Sequence, residues 1–213
     1  MKKHLVAFAL LPLCLAACAT TPGAPATSAP PPAATAPAQP QLSTEERVAF
    51  FVNHARAGEL LDVARELKAG LDVNSFDSLD QTALIGAVSH KQILAVKLLL
   101  NSGADPGLAD RAGWTPLIHA VYAGADPELL GLLLEAGADI NGRNDRGITA
   151  LYLASVSGRE EQVSYLLSRG ADPTLASKAG YTPLKIAQLK GLQKVVALLK
   201  DAPSPSTAAR ATP

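Results

Sequence analysis

The sequence predicts an all-α solenoid built from helix-turn-helix units stacked in one direction. Three observations point to it. A threonine-headed box recurs as QTALIGA from Gln81, WTPLIHA from Trp114, ITALYLA from Ile148 and YTPLKIA from Tyr181. Its threonines, Thr82, Thr115, Thr149 and Thr182, are spaced by 33, 34 and 33 residues. A Gly-Ala-Asp triplet keeps step with the box, as SGADP from Ser102, AGADI from Ala136 and RGADP from Arg169, and a leucine cluster precedes each triplet. Self-similarity at such a period marks units that cannot bury their apolar face alone and therefore stack. Composition agrees: 48% of the 213 residues are apolar but only 4% aromatic, so the core rests on Leu, Ala, Val and Ile.

Taken in order, the chain begins with a segment of another kind. Lys2 and Lys3 are followed by an apolar run from Leu5 to Leu15, broken only by Pro12, and then by Ala16 and Ala17. A cationic start, a short apolar stretch and small residues make the pattern of a bacterial export signal. The run is shorter than the roughly 20 residues that a membrane core demands. Leu15-Ala16-Ala17-Cys18 resembles the lipobox of bacterial lipoproteins. That resemblance implies a signal at 1–17, removed by cleavage before Cys18, with lipid on the Cys18 thiol and usually an acyl chain on the new amino terminus. Cys14 would leave with the signal, so no disulfide remains possible. Two or more chains hold a protein stably on a bilayer. Ala19, where Asp would mark retention, implies sorting to the outer membrane. An ordinary export signal is the alternative.

Residues 18–42 form the next stretch. Seven of the 24 residues from 19 to 42 are Pro, and most others are Ala, Thr or Ser. Such a composition buries too little apolar surface to order itself, and as polyproline it reaches on the order of 70 Å. Ser43-Thr44-Glu45-Glu46 then has the form of a capping box and opens the folded region at 43–201. The tail at 202–213, rich in Pro, Ser and Ala, reads as disordered.

Within the folded region each unit explains its own residues. Thr caps a helix, and Pro suits the first turn, where its missing N–H costs nothing. Leu84, Leu117, Leu151 and Leu184 bury next, and Ala87, Ala120, Ala154 and Ala187 allow close helix approach. Gly124, Gly158 and Gly191 end the first helix. Gly103, Gly137 and Gly170 end the second. Together these boxes resemble the ankyrin repeat family, over about three quarters of the chain. Five units follow, near 44–76, 77–109, 110–143, 144–176 and 177–201, the first and last being caps. Two departures stand out. Lys91 replaces the turn glycine of unit two, so strain is expected there. Unit three carries one extra residue, within Gly124-Ala125-Asp126-Pro127, with Asp126 and Pro127 expected to start its second helix.

Catalytic and metal chemistry find little support in the sequence. The three histidines beyond the signal, His54, His90 and His119, fall on different units, and no metalloprotease, serine-elbow or phosphate-loop motif occurs. Asp139-Ile-Asn141-Gly-Arg143-Asn144-Asp145 fails as a calcium loop, because Arg143 takes a ligand position and the glycine at position six is missing. Asp105, Asp139 and Asp172 recur with the repeat and read as turn residues. A formal net charge of zero gives no basic excess for nucleic acid. No enzyme activity, cofactor or metal is therefore expected.

What remains is a surface. The ankyrin resemblance implies that the residues before each box threonine, Gln81, Trp114, Ile148 and Tyr181, face a concave groove. It adds the tip residues Leu79, Arg111, Arg143, Asp145, Arg146 and Lys178. On the inner helices it adds His90, Tyr122, Val156, Ser157 and Leu189. Trp, Tyr and Arg dominate interface energetics. The alternative is that Trp114 and Tyr181 simply cover the inner helices of their own units. The expected function is that of a monomeric, membrane-anchored module. It would bind an unidentified periplasmic or envelope protein, including an enzyme that it stabilises or, as an immunity factor, neutralises. The runner-up is a structural spacer or assembly factor of the cell envelope acting through tether and tail.

Overall fold

The computed structural model describes residues 42–202. The expected export signal, Cys18, the Pro-rich segment as far as residue 41 and the tail from residue 203 lie outside the described residues. Ten helices follow in five pairs. They are α1 (Thr44–Ala57) with α2 (Leu60–Lys68), α3 (Ala83–Ser89) with α4 (Ile93–Asn101), α5 (Pro116–Ala123) with α6 (Pro127–Glu135), α7 (Ala150–Val156) with α8 (Glu160–Ser168), and α9 (Pro183–Leu189) with α10 (Gln193–Lys200). First helices pack on first helices from α1 through α9, and the second helices form an outer layer behind them. This is the all-α repeat solenoid that the sequence predicts. Among the described residues no helix is long and apolar enough to cross a membrane.

Each pair starts where its capping chemistry dictates. The Ser43 hydroxyl accepts the N–H of Glu46, and the Ser43 N–H donates to the Glu46 carboxylate at 2.8 Å, closing a capping box. These bonds hold the Glu46 carboxyl below its ordinary range. The hydroxyls of Thr82, Thr115, Thr149 and Thr182 accept the N–H of Ile85, Ile118, Tyr152 and Lys185. Asp126 caps α6 through the N–H of Leu129 at 3.0 Å, and Pro127 follows it as the sequence suggests.

The core runs the length of the stack. Ala87, Ala120, Ala154 and Ala187 are fully buried between neighbouring first helices. Leu84, Leu117 and Leu151 are buried beside them, whereas Leu184 is only half-buried, because it sits on the last helix pair. The first helices of units one, three, four and five end at Gly58, Gly124, Gly158 and Gly191, all with φ between 69° and 78°. Lys91 takes that place in unit two with φ 56°. The strain expected there is real, since a left-handed non-glycine residue costs about 1–2 kcal/mol.

The turns between units repeat one hydrogen-bond scheme. The Asp110 Oδ1 atom accepts the N–H groups of Ala112 and Trp114 at 2.9 Å. Asp77 and Asn144 do the same for Leu79 and Gln81, and for Arg146 and Ile148. At the corresponding place in unit five stands Ser177. Its side chain makes neither bond, and its buried Oγ has no hydrogen-bond partner among the described residues. Ser177→Asn should restore the scheme and raise stability by about 1 kcal/mol, read as a higher urea midpoint. An unchanged or lower midpoint would mean that the last turn already satisfies itself another way.

Candidate functional site

The turn tips bring the sequence-predicted residues onto the same side as the first helices. At each tip a left-handed residue precedes the threonine box: Gly113, Gly147 and Gly180, with φ of 74°, 71° and 79°. Without a Cβ, adjacent tips can touch. The Asp145 N–H donates to the Ala112 carbonyl at 3.2 Å, and the Lys178 N–H to the Arg146 carbonyl at 2.9 Å. In unit two this place belongs to Asp80, with φ 55°. Among the described residues no backbone bond joins Arg111 to the tip of unit two. Instead Asp80 Oδ2 meets Arg111 Nε at 2.9 Å. The tip thus exchanges a backbone link for an exposed ion pair.

Unit three carries the aromatic centre. Trp114 meets Tyr122 edge to face, with ring centroids 5.4 Å apart and planes at 84°. On its other side it meets His119, also at 5.4 Å. Trp114 is half-buried against the core, whereas Tyr122 is 64% exposed. Trp114 therefore covers its own inner helix while staying partly exposed.

His119 holds this arrangement. Its Nε2 lies 2.9 Å from Asp110 Oδ2 and its Nδ1 3.4 Å from Ser89 Oγ on α3. A neutral ring with the proton on Nε2 satisfies both contacts. Burial pushes the His119 pKa down, and Asp110 opposes this through its hydrogen bond and its charge without reversing it. A lowered histidine pKa stabilises the fold above the ordinary imidazole value of about 6.5, and that contribution disappears as pH falls through the lower folded value. We expect the urea midpoint to drop on acidification from neutral pH, and His119→Gln to flatten that drop. An equal slope in the variant would place the sensitive group elsewhere.

The remaining candidates divide by exposure. Leu79, Leu189 and Tyr181 are 67%, 60% and 39% exposed. Arg143, Asp145, Arg146, Ser157, Lys178 and His90 are exposed too, with Arg143 donating to the Ala176 carbonyl and His90 Nδ1 lying 3.2 Å from the Gly86 carbonyl. Ile148 and Val156 are half-buried. Gln81 is engaged rather than free, because its Oε1 accepts from Arg56 Nη2 at 2.8 Å.

Some residues of this side escaped the sequence reading. Asp80 had a signal, since it stands in register with three glycines. Arg56 had none, because unit one lacks the threonine box that sets register. Lys190 reaches back to the Val156 carbonyl at 3.0 Å, a contact that spans two units and is invisible in one.

Two features lie apart from the aromatic centre. A hollow of about 640 Å³ opens between the start of α1 and the Phe76 turn, lined by Val48, Ala49 and Phe76 among others. At the α1–α2 junction His54, Glu59 and Asp62 bring ligand-type atoms within 4.8 Å of one another. His54 contacts Glu59, and Arg65 pairs with Asp62, so the carboxylates already have cationic or donor partners.

Comparison with known proteins agrees with this architecture. A family model described as ankyrin repeats (3 copies) matches residues 51–144 and 120–208. Protein phosphatase 1 regulatory subunit 27 of Mus musculus is 35% identical over 99 residues, 46% of this chain and 64% of that protein. The 2-5A-dependent ribonuclease of Mus musculus is 40% identical over 78 residues, 36% of this chain and 10% of that protein. SH3 and multiple ankyrin repeat domains protein 2 of Homo sapiens is 33% identical over 114 residues, 52% of this chain and 6% of that protein. The chain thus spans just under two thirds of the first of these relatives and a tenth or less of the other two.

Proposed function

Because this chain belongs to the ankyrin repeat family, whose repeats mediate protein–protein interaction, we propose that it is a lipid-anchored module holding a partner protein at the cell envelope. The partner seats on the concave side formed by the turn tips and first helices. The observation that carries this reading is the Trp114–Tyr122 pair, a half-exposed aromatic edge at the centre of the stack. Aromatic anchors of this kind dominate interface energetics. The anchor is Cys18, and the Pro-rich segment holds the repeats away from the outer membrane, on its periplasmic side. The partner is an envelope or periplasmic protein. An enzyme that the module stabilises or neutralises is the form of partner that a relative named as a phosphatase regulatory subunit favours.

The test compares the native chain with a Trp114→Ala/Arg143→Glu/Tyr181→Ala variant by crosslinking in cells, with circular dichroism confirming equal folding. A protein captured by the native chain and lost by the variant supports the reading. Equal capture by both would move the activity to the tether and tail, as in a structural spacer. Cys18→Ser should release the protein from the membrane fraction, and unchanged sedimentation would remove the lipid anchor from the scheme.

A further inference from the structure

The formal net charge of zero conceals an uneven distribution of acids. The first helices α3, α5, α7 and α9 carry no acidic residue. The outer helices carry Asp62, Glu66, Glu128, Glu135, Glu160 and Glu161, with Arg65, Lys68, Lys97, Lys194 and Lys200 among them. Several of these are already paired: Glu66 with Arg47, Glu128 with Lys97 and Glu160 with Lys194.

On the turn tips and first helices of the last three units the balance is the reverse. Arg143, Arg146, Lys178 and Lys190 are all exposed there. Among the described residues none of the four pairs with a carboxylate. Arg143 and Lys190 rest on the carbonyls of Ala176 and Val156, contacts that orient a cation without neutralising it. The acids nearby are mostly committed: Asp110 Oδ1 holds its turn while Oδ2 meets His119, and Asp80 takes Arg111. Asp145 is the exposed carboxylate left on these tips. At the N-terminal end the signs change, with Glu45 and Glu46 on the first turn of α1. These four cations lie in units three to five, the part of the stack that also carries the Trp114–Tyr122 pair, and Lys91 just after α3 is exposed as well.

We propose that this part of the concave side receives a carboxylate-rich segment of the partner protein, an Asp- and Glu-bearing strand or loop with an apolar residue for the aromatic edge. The inference rests on the binding reading above and adds the chemistry of the partner. Unpaired cations on a concave surface raise the local concentration of an anionic partner and speed its encounter. Asp- or Glu-rich surfaces are steered in, and basic ones are turned away.

The test is a peptide array probed with the full chain. It carries acidic, neutral and basic peptides of equal length, each with spaced Leu and Phe. Affinities of the best peptides are then measured by fluorescence anisotropy at low and high salt. Two folded variants are run beside the native chain: Arg146→Glu/Lys178→Glu/Lys190→Glu, and Trp114→Ala. We expect acidic peptides to dominate, charge reversal to weaken them by about tenfold or more, and salt to weaken the native chain. Preference for neutral or basic peptides, lost in Trp114→Ala but kept on charge reversal, would overturn the acidic partner and leave the binding reading standing. Identical peptide sets for all three chains would overturn both. Retention on phosphatidylglycerol vesicles that charge reversal abolishes, with no acidic peptide bound, would overturn it in favour of an anionic membrane.

Discussion

Phe51→Ala should cost the first helix pair about 3–5 kcal/mol, the range for emptying a large buried aromatic site. Phe51 is fully buried on α1, among the largest such side chains in the molecule. Its helix contacts the rest mainly through α3, where Gly86 lets the backbones close: a Cβ there would stand 3.2 Å from the Val52 carbonyl. Because α1 is packed mainly from one side, it can close part of the void, which places the loss toward the lower end of that range. Repeat arrays are stabilised by nearest-neighbour interfaces, so damage at one end remains there when the other interfaces are intact. The expected result is specific in place. Amide exchange should accelerate throughout 44–68, while the amides of α7 and α8 keep most of their protection. Equal loss in all five units would show a single cooperative block, and a loss below about 1 kcal/mol would show that the cap repacks.

That prediction also marks how far the sequence reaches. The four threonine boxes and the glycines after the helices set the pairs, because capping and left-handed turns are local and their residues lie within one unit. Unit one, with no box, was still legible from Ser43 and Glu46, whose capping box needs only three residues of separation. The candidate site is a different matter. Gln81 was expected on the open side; its side chain is partly buried and its amide oxygen is taken by Arg56 from the preceding unit. Trp114 was left between two roles, and its packing could not be read beforehand, because its rings meet His119 and Tyr122 at distances that only the folded α5 sets. Lys190 is another such case, since its contact with the Val156 carbonyl depends on how α9 stacks on α7. Contacts within a unit follow from residue types and spacing. Contacts between units follow from the stacking offset, which no single repeat encodes.

The tips allow that offset to be tested directly. Gly113→Ala should destabilise by about 2–4 kcal/mol, combining a left-handed alanine with a lost backbone hydrogen bond. A Cβ on Gly113 would lie 2.9 Å from the backbone nitrogen of Asp145, the group that donates to Ala112 and links unit three to unit four. Real Cβ atoms do not approach so closely, so the two tips must part. Gly180→Ala is the control. Its φ of 79° matches that of Gly113 at 74°, yet its Cβ would meet nothing within 4 Å, because it belongs to the last tip. It should therefore lose only the conformational part, about 1–2 kcal/mol. The difference between the two urea midpoints measures what one tip-to-tip contact is worth. Asp80 shows the same trade already made: with a side chain in this place, unit two has no backbone link to Arg111 and holds it by charge. Equal losses at 113 and 180 would mean that the tips carry no coupling. In that case the spacing of Trp114, Arg146 and Lys178 is set by the helices alone.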